Sequence, residues 1–355
     1  MFKEDKNEFD HTIKKHSKAA PWYSLAGPEG DVVLSTRVRL ARNLADQPFV
    51  ARLTEDGKRY VAELVRQASQ ELAQLSWLDM MQVPRMQAAS MAERRLISAQ
   101  FAAQEPGTAL LMQDDERVII MLCEEDHIRL QALSPGLALE EAYARANEID
   151  TILSRQLNYA FHDTLGYLTQ CPTNLGTAMR ASVLLHLPAL AALGRVARLA
   201  ESISKLGLTI RGAFGEGSEA QGALFQLSNQ VTLGIAETQA LENLQAITLQ
   251  IAAQERLARA ELLGQPVWED KLWRAYGICR HARLLKSSEA IELLGILRMG
   301  AAQKLLPAEL EALSTLMVEI QPATLCITQN VTQAEERDAA RAKMIRTKLT
   351  VNNEL

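Results

Sequence analysis

The 355-residue sequence has no C-x-x-C pair, and its four cysteines, Cys123, Cys171, Cys279 and Cys326, lie far apart. That spacing offers neither a zinc ribbon nor a vicinal redox couple. No G-x-x-x-x-G-K-[S/T] loop, no His-Arg-Asp or Asp-Phe-Gly signature and no H-E-x-x-H occurs. P-loop enzymes, eukaryote-type protein kinases and zincins are therefore excluded, and the six scattered histidines form no metal motif. One loose G-x-G-x-x-A match spans Gly215–Ala220. Glu216 and Glu219 within it would repel a pyrophosphate, and a strand pattern comes next where a dinucleotide site needs a helix. No run of 18 apolar residues is present, so no membrane span is expected. A net charge of −5 disfavours non-specific nucleic-acid or membrane-surface binding. Met1–Lys18 is polar and charged without an apolar centre, which predicts a cytoplasmic protein with reduced thiols.

With 48% hydrophobic and 23% charged residues, the chain has material for a sizeable core. Its pattern is α+β up to about residue 260 and helical beyond. A strand is predicted over Asp31–Leu40, and Ala109–Met112 and Val118–Leu122 form a hairpin about a polar turn. A further strand passes through Leu130 and Ala132, and two more are Leu208–Phe214 and Ala223–Gln230. Helices are expected over Gly57–Leu75, Ala92–Phe101, Leu139–Tyr159, Ala189–Leu206 and residues 238–263. Gln82–Gln87 reads as a short strand, the run carrying Arg180 as a helix, and Pro322–Val331 as a break before a charged terminal helix. The expected division is a tail over 1–20, a catalytic unit over 21–260 and a helical unit over 261–355.

Polar residues gather at strand ends and turns. Arg37 and Arg39 share one strand face and repel unless an anion lies between them. Glu125 and Arg129 flank another strand end, Cys171 and Arg180 flank a small-residue turn, and Arg211 and Glu216 flank the last β-loop. Arginines so placed suit a triphosphate, because each presents a planar donor fork. The carboxylates, with Cys171 beside Pro172 at an expected helix start, suit a cation. An enzyme that joins a triphosphate to a cation is a kinase for a basic group.

Four blocks carry a resemblance. They are Ser35-Thr36-Arg37-Val38-Arg39, Glu124-Glu125-Asp126-His127-Ile128-Arg129, Cys171-Pro172-Thr173-Asn174-Leu175-Gly176-Thr177 and Arg211-Gly212-Ala213-Phe214-Gly215-Glu216. In this order they resemble the signatures of the guanidino-phosphotransferase family, which includes creatine and arginine kinases. Within it the chain is most similar to the bacterial protein arginine kinases. Phosphagen kinases carry a helical domain before the first arginine block. Here the block begins at Ser35, and the chain instead has a C-terminal helical portion with Arg337-Asp338-Ala339-Ala340-Arg341-Ala342. That run matches the R-D-x-x-R-A motif of a phosphoarginine-binding allosteric pocket.

The resemblance implies an antiparallel-sheet catalytic domain flanked by helices and followed by an all-helical domain. It implies ATP, with Mg²⁺ held mainly by the nucleotide, and no protein metal site. ATP contacts would come from Ser35, Thr36, Arg37, Val38, Arg39, Arg95, Arg129, Arg180, Ala181, Ser182, Val183, Leu184, Arg211, Gly212, Ala213, Phe214 and Gly215. Glu125 would be the base, Glu216 the guanidinium clamp and Cys171 its neighbour. Arg337, Asp338, Arg341 and Ala342 would bind phosphoarginine. Protein substrates with exposed arginines are implied, along with an activator protein, the bacterial Clp protease machinery and a homodimer or larger assembly. The alternative is a kinase for free arginine or another small guanidino compound. Three positions depart from the family pattern: Cys123 where Asn is usual, Arg95 where His is typical, and Ala178 where Gly is common.

Overall fold

A computed structural model describes residues 20–72, 74–213 and 220–351. Eight strands form one antiparallel sheet in the order β2-β3-β4-β5-β1-β8-β10-β9. In sequence these are β1 (Val33–Arg42), β2 (Leu75–Asp79), β3 (Ala109–Gln113), β4 (Val118–Leu122), β5 (Ile128–Pro135), β8 (Met179–His186), β9 (Leu208–Gly212) and β10 (Leu224–Asn229). A small ribbon, β6 (Phe161–His162) with β7 (Gly166–Tyr167), lies apart.

Among the described residues the sheet-bearing part of the chain carries α1 (Glu55–Ala68), α2 (Arg85–Glu93), α3 (Leu139–Ser154), α4 (Pro188–Ala192) and α5 (Val196–Ser204). The rest of the chain is helical, with α6 (Glu237–Leu263), α7 (Pro266–His281), α8 (Ser287–Ala302), α9 (Leu310–Glu319), α10 (Pro322–Gln329) and α11 (Ala334–Val351). No single described helix is long and apolar enough to cross a membrane.

The sheet separates two environments because side chains alternate along each strand. Val38 and Leu40 share a face with Ile120, Leu130, Ala181 and Val183, and pack into the main core against α3 and α6. The opposite face splits. Leu110, Ile119, Met121 and Leu133 bury against α2 and Trp22. Leu184 and Leu224 join the core of the C-terminal helices, with Ile291, Leu294 and Leu316. Between these two apolar ends the face is polar, and the arginines stand there.

Several local expectations are corrected. Arg180 lies on β8, not on a helix. β8 sits between β1 and β10 and is buried along most of its length, so its apolar run carries no period that separates strand from helix. Pro172–Asn174 is a single 3₁₀ turn, so the helix invoked for a thiolate at Cys171 is absent. Gln82 and Val83 form a turn leading into α2, which ends at Glu93 instead of starting there. The helix predicted over Ala189–Leu206 is broken at Gly194, whose φ of +65° ends α4. Leu75 starts a strand. Pro322 opens α10 rather than breaking a helix, since its missing N–H costs nothing at the first helical position.

Candidate active site

Antiparallel register brings the arginines together. Arg39 on β1 lies directly opposite Arg180 on β8 and Gln131 on β5, Arg37 lies opposite Ser182, and Ala41 lies opposite Arg129. Opposed residues share a face, so residues far apart in sequence become one polar strip. Gln226 and Arg211 extend it toward the β9 edge. Gln226 Oε1 accepts from Arg37 Nη2 at 2.9 Å and also from Arg95 Nη2. Arg95 lies just past α2 at φ +66°, and its carbonyl accepts from Gln131 Nε2 at 3.0 Å. Left-handed φ is unfavourable for a side chain of this kind, so Arg95 is held there by its neighbours.

Positive charge is crowded and undercompensated. Burial, together with repulsion from Arg95, Arg129 and Arg180, holds the Arg37 guanidinium well below its ordinary pKa. Burial and repulsion from Arg37, Arg129 and Arg180 do the same for Arg39, and Glu124 offsets only part. Burial lowers Arg95 to about 10. Among the described residues, Nε of Arg37, Nε of Arg39 and Nη1 of Arg95 are buried without a hydrogen-bond acceptor. A polyanion seated on the strip would supply the missing acceptors and charge.

The two glutamates of the acid run differ. Burial works against ionised Glu124, but its ion pair with Arg129 and the Ser98 hydroxyl outweigh it, and its carboxyl lies below the usual range. Burial and the adjacent Asp126 charge raise Glu125 instead. Glu125 lines a small cavity of about 60 Å³ with Arg39, Arg129, Asn174 and Arg180. Among the described residues this carboxylate makes no ion pair, and it shares the cavity with three arginines.

Asp126 and His127 join this run to the loop of Cys171. Asp126 Oδ1 accepts from Asn43 Nδ2 at 2.6 Å and from the Gln170 N–H at 2.8 Å. The His127 N–H donates to Asn43 Oδ1 at 2.9 Å, and its ring accepts the Leu44 N–H at 3.0 Å through Nδ1. Burial lowers the His127 pKa, which suits this accepting neutral ring. Cys171 Sγ lies 3.0 Å from Thr173 Oγ1. Beyond it Gly176 has φ +100°, and a Cβ there would lie 2.2 Å from the Thr232 carbonyl, so glycine is required.

Thr36, Val38, Ala181 and Val183 point away from the strip into the opposite face and are buried. Thr36 Oγ1 donates to the Gly136 carbonyl at 2.7 Å and accepts from the Ala138 N–H at 3.0 Å. Their part in any ligand contact is restricted to backbone. Ser35, Ser182 and Leu184 share the arginine face. Leu184, Arg95 and Ala213 line a mostly apolar cavity of about 430 Å³ whose far wall is α8 and α9. Arg211 and Gly212 end β9; Phe214, Gly215 and Glu216 lie outside the described residues. Sequence patterns assign no role to Gln226, Gln131, Ser98 or Glu124. Their amides, hydroxyl and carboxylate orient arginines across strands, and no local motif announces that.

All three family departures fall on left-handed backbone, Arg95 at φ +66° among them. Cys123 has φ +59° and Ala178 φ +48°, conformations that Asn and Gly adopt most readily. Burial pushes the Cys123 thiol up to about 12.

The family description "ATP:guanido phosphotransferase, C-terminal catalytic domain" matches residues 58–258. The chain belongs to the ATP:guanido phosphotransferase family. A second description, "Protein-arginine kinase McsB C-terminal domain", matches residues 265–355. The chain is 43% identical over 340 residues to the protein-arginine kinase of Brevibacillus brevis, covering 93% of this chain and 95% of that one. It is 41% identical over 344 residues to that of Moorella thermoacetica, covering 94% and 97%. Among solved structures, lombricine kinase matches the fold with a TM-score of 0.59 at 21% identity, over 72% of this chain and 78% of that one. The duplicated taurocyamine kinase of Schistosoma mansoni matches with a TM-score of 0.58 at 23% identity, over 90% and 50%.

The Arg-Asp-x-x-Arg-Ala run lies on α11. Arg341 is 1% exposed and gives its donors to the Ile320 carbonyl at 3.0 Å, the Leu285 carbonyl at 2.7 Å and Asp338 Oδ1 at 2.6 Å. Ala342 is buried in the helical core. Arg337 is half-buried and donates to the Thr332 carbonyl at 3.2 Å. The run therefore divides into an inner brace, Arg341 and Ala342, and an outer pair, Arg337 and Asp338.

Proposed function

We propose that this enzyme transfers the γ-phosphoryl group of ATP to the guanidinium of arginine side chains in proteins. The observation that carries the reading is the crowding of buried guanidinium groups, with donors of Arg37, Arg39 and Arg95 that find no acceptor among the described residues, beside Glu125. Arg37, Arg39, Arg129, Arg180 and Arg211 would hold the triphosphate, and Arg95 would contact the nucleotide from the side. The apolar cavity beside Arg95, Leu184 and Ala213 suits the base. Guanidinium groups with one paired carboxylate are a phosphate-binding donor set. Mg²⁺ would therefore be held by phosphate and water oxygens, where it neutralises charge on the nucleotide.

A guanidinium is a poor nucleophile, because its lone pairs are delocalised and it is protonated. Glu125 would accept a proton from the attacking Nη. The N–P bond forms as the bond between the γ-phosphorus and its bridging oxygen breaks, and ADP leaves with that electron pair. Glu216 would fix the guanidinium plane, and Cys171, next to the Gln170 whose N–H Asp126 accepts, would place a polarisable sulfur beside it. The arginines then stabilise charge as the phosphoryl group moves. A catalytic unit over 21–260, a helical unit over 261–355 and a homodimer complete the reading. So do a cytoplasmic setting, an activator, Clp-type proteolytic partners and a role in stress-linked protein turnover. Arg337 and Asp338 are the residues of the sensing motif best placed to meet phosphoarginine.

Mass spectrometry of a protein substrate after incubation with Mg-ATP, under conditions that preserve acid-labile P–N bonds, tests this. Phosphoarginine on the protein supports it. Transfer to free arginine with none to protein would favour the small-guanidino kinase instead.

A further inference from the structure

Glu93 ends α2, two residues before Arg95. Its carboxylate is taken up by the start of α10, 230 residues further along the chain. Oε1 accepts the Ala323 N–H at 2.8 Å, and Oε2 accepts the Thr324 N–H at 2.8 Å and Thr324 Oγ1 at 2.9 Å. Beside them, Ser90 Oγ and Thr324 Oγ1 lie 3.0 Å apart, and both residues are buried. The first N–H groups of a helix lack partners within it, and a carboxylate there also meets the positive end of the helix dipole. The C-terminal helices thus borrow a cap from the catalytic half. In return α2, nine residues long and without a side-chain cap of its own, gains a fixed end.

The course of the chain just past α2 depends on where that end is held. Arg94 pairs with Glu116, and Arg95 turns through φ +66° to reach Gln226, the acceptor it shares with Arg37. On its other side α10 meets α11. Cys326 Sγ on α10 accepts from Arg337 Nη1 at 3.8 Å, and Arg341 Nε donates at 3.0 Å to the Ile320 carbonyl, just ahead of Pro322. One short helix therefore touches both the helix that aims Arg95 and the helix that carries the Arg-Asp-x-x-Arg-Ala run.

We infer that Glu93 is a positioning residue: it docks α2 on the N-terminus of α10, so that the grip of Arg95 on ATP depends on the placement of α10 and α11. This rests on the reading of Arg95 as a nucleotide contact. Steady-state kinetics on the full chain test it, with Glu93→Ala, Glu93→Gln, Thr324→Val, Arg95→Ala and the Glu93→Ala/Arg95→Ala double variant. Glu93→Ala should raise KM for ATP roughly three- to tenfold and leave KM for the protein substrate unchanged. Glu93→Gln, which keeps one acceptor oxygen, should recover part of the loss. Thr324→Val, altered only in the C-terminal helices, should shift KM for ATP in the same direction by less. Because Glu93 acts through Arg95, the double variant should match Arg95→Ala alone.

An unchanged KM for ATP in Glu93→Ala, beside a raised one in Arg95→Ala, overturns the coupling. Additive effects in the double variant overturn it as well. A fall in kcat and melting temperature with KM for ATP intact would mark Glu93 as a structural cap only and overturn the inference. No effect of Arg95→Ala would instead remove the nucleotide role of Arg95. If Glu93→Ala does not fold, Glu93→Gln and Thr324→Val carry the same readout.

Discussion

Replacing Arg341 by alanine tests whether the inner half of its motif senses a ligand or holds the fold. The side chain is 1% exposed and makes three hydrogen bonds within 3.0 Å, two of them to backbone carbonyls. Alanine leaves the carbonyls of Leu285 and Ile320 without that donor, at about 1–3 kcal/mol for each buried acceptor. Asp338 is partly open to solvent and recovers most of its loss from water. Loss of the buried alkyl stem adds a cavity term. The two carbonyls alone give about 2–6 kcal/mol, a large fraction of the stability of an ordinary domain. Arg337→Ala removes a half-buried side chain and should cost less than about 1 kcal/mol. Urea unfolding followed by circular dichroism compares the two. Arg341→Ala should move the midpoint far down while Arg337→Ala stays near the parent. An Arg341→Ala protein with the parent's midpoint and slope would refute the brace.

Glu125→Gln keeps the shape of the cleft but removes the proton acceptor. It should lower kcat by roughly 10²–10⁴-fold, while calorimetric titration still finds ATP bound; retained turnover would assign the base elsewhere. Glu125 works as a base only when ionised, and burial beside Asp126 raises its pKa. The acidic limb of kcat/KM should therefore fall off at a higher pH than an ordinary carboxylate would give, and Asp126→Asn should move that limb downward. Ala178→Gly relieves a left-handed residue at φ +48° and should stabilise the protein by about 0.5–1 kcal/mol; thermal unfolding reads this directly.

Much of the site can be read from residue type and local spacing. Arg37 and Arg39 alternate with Val38 and Leu40, and that period alone places the arginines on one face and the apolar pair on the other. The hairpin over residues 109–122 is legible from two short apolar runs about a polar turn, and the α6 helix from a long stretch without Gly or Pro that ends at Gly264. β8 is misread as a helix because a strand buried among others has no polar phase to display. α10 is misread as a break because Pro322 punctuates a helix start as well as a helix end. Glu125 and Glu124 stand side by side and differ only in their partners. Arg129, five residues on, and Ser98, brought in from before the hairpin, decide which of them stays uncommitted.

The sequence by itself determined the chemistry on offer: arginines and glutamates at strand ends, a cysteine before a tight glycine turn, and an apolar pattern that mixes strands and helices up to about residue 260 and is helical after it. Only the tertiary structure decided which charges meet. Antiparallel register set Arg39 against Arg180, although they are far apart in the chain. Packing of α10 on α2 joined Glu93 to Thr324. Burial turned Arg341 from a charged helix residue into a brace. Periodicity is a local property of the chain, whereas the energy of a charge depends on its partners and its distance from water, which the fold supplies.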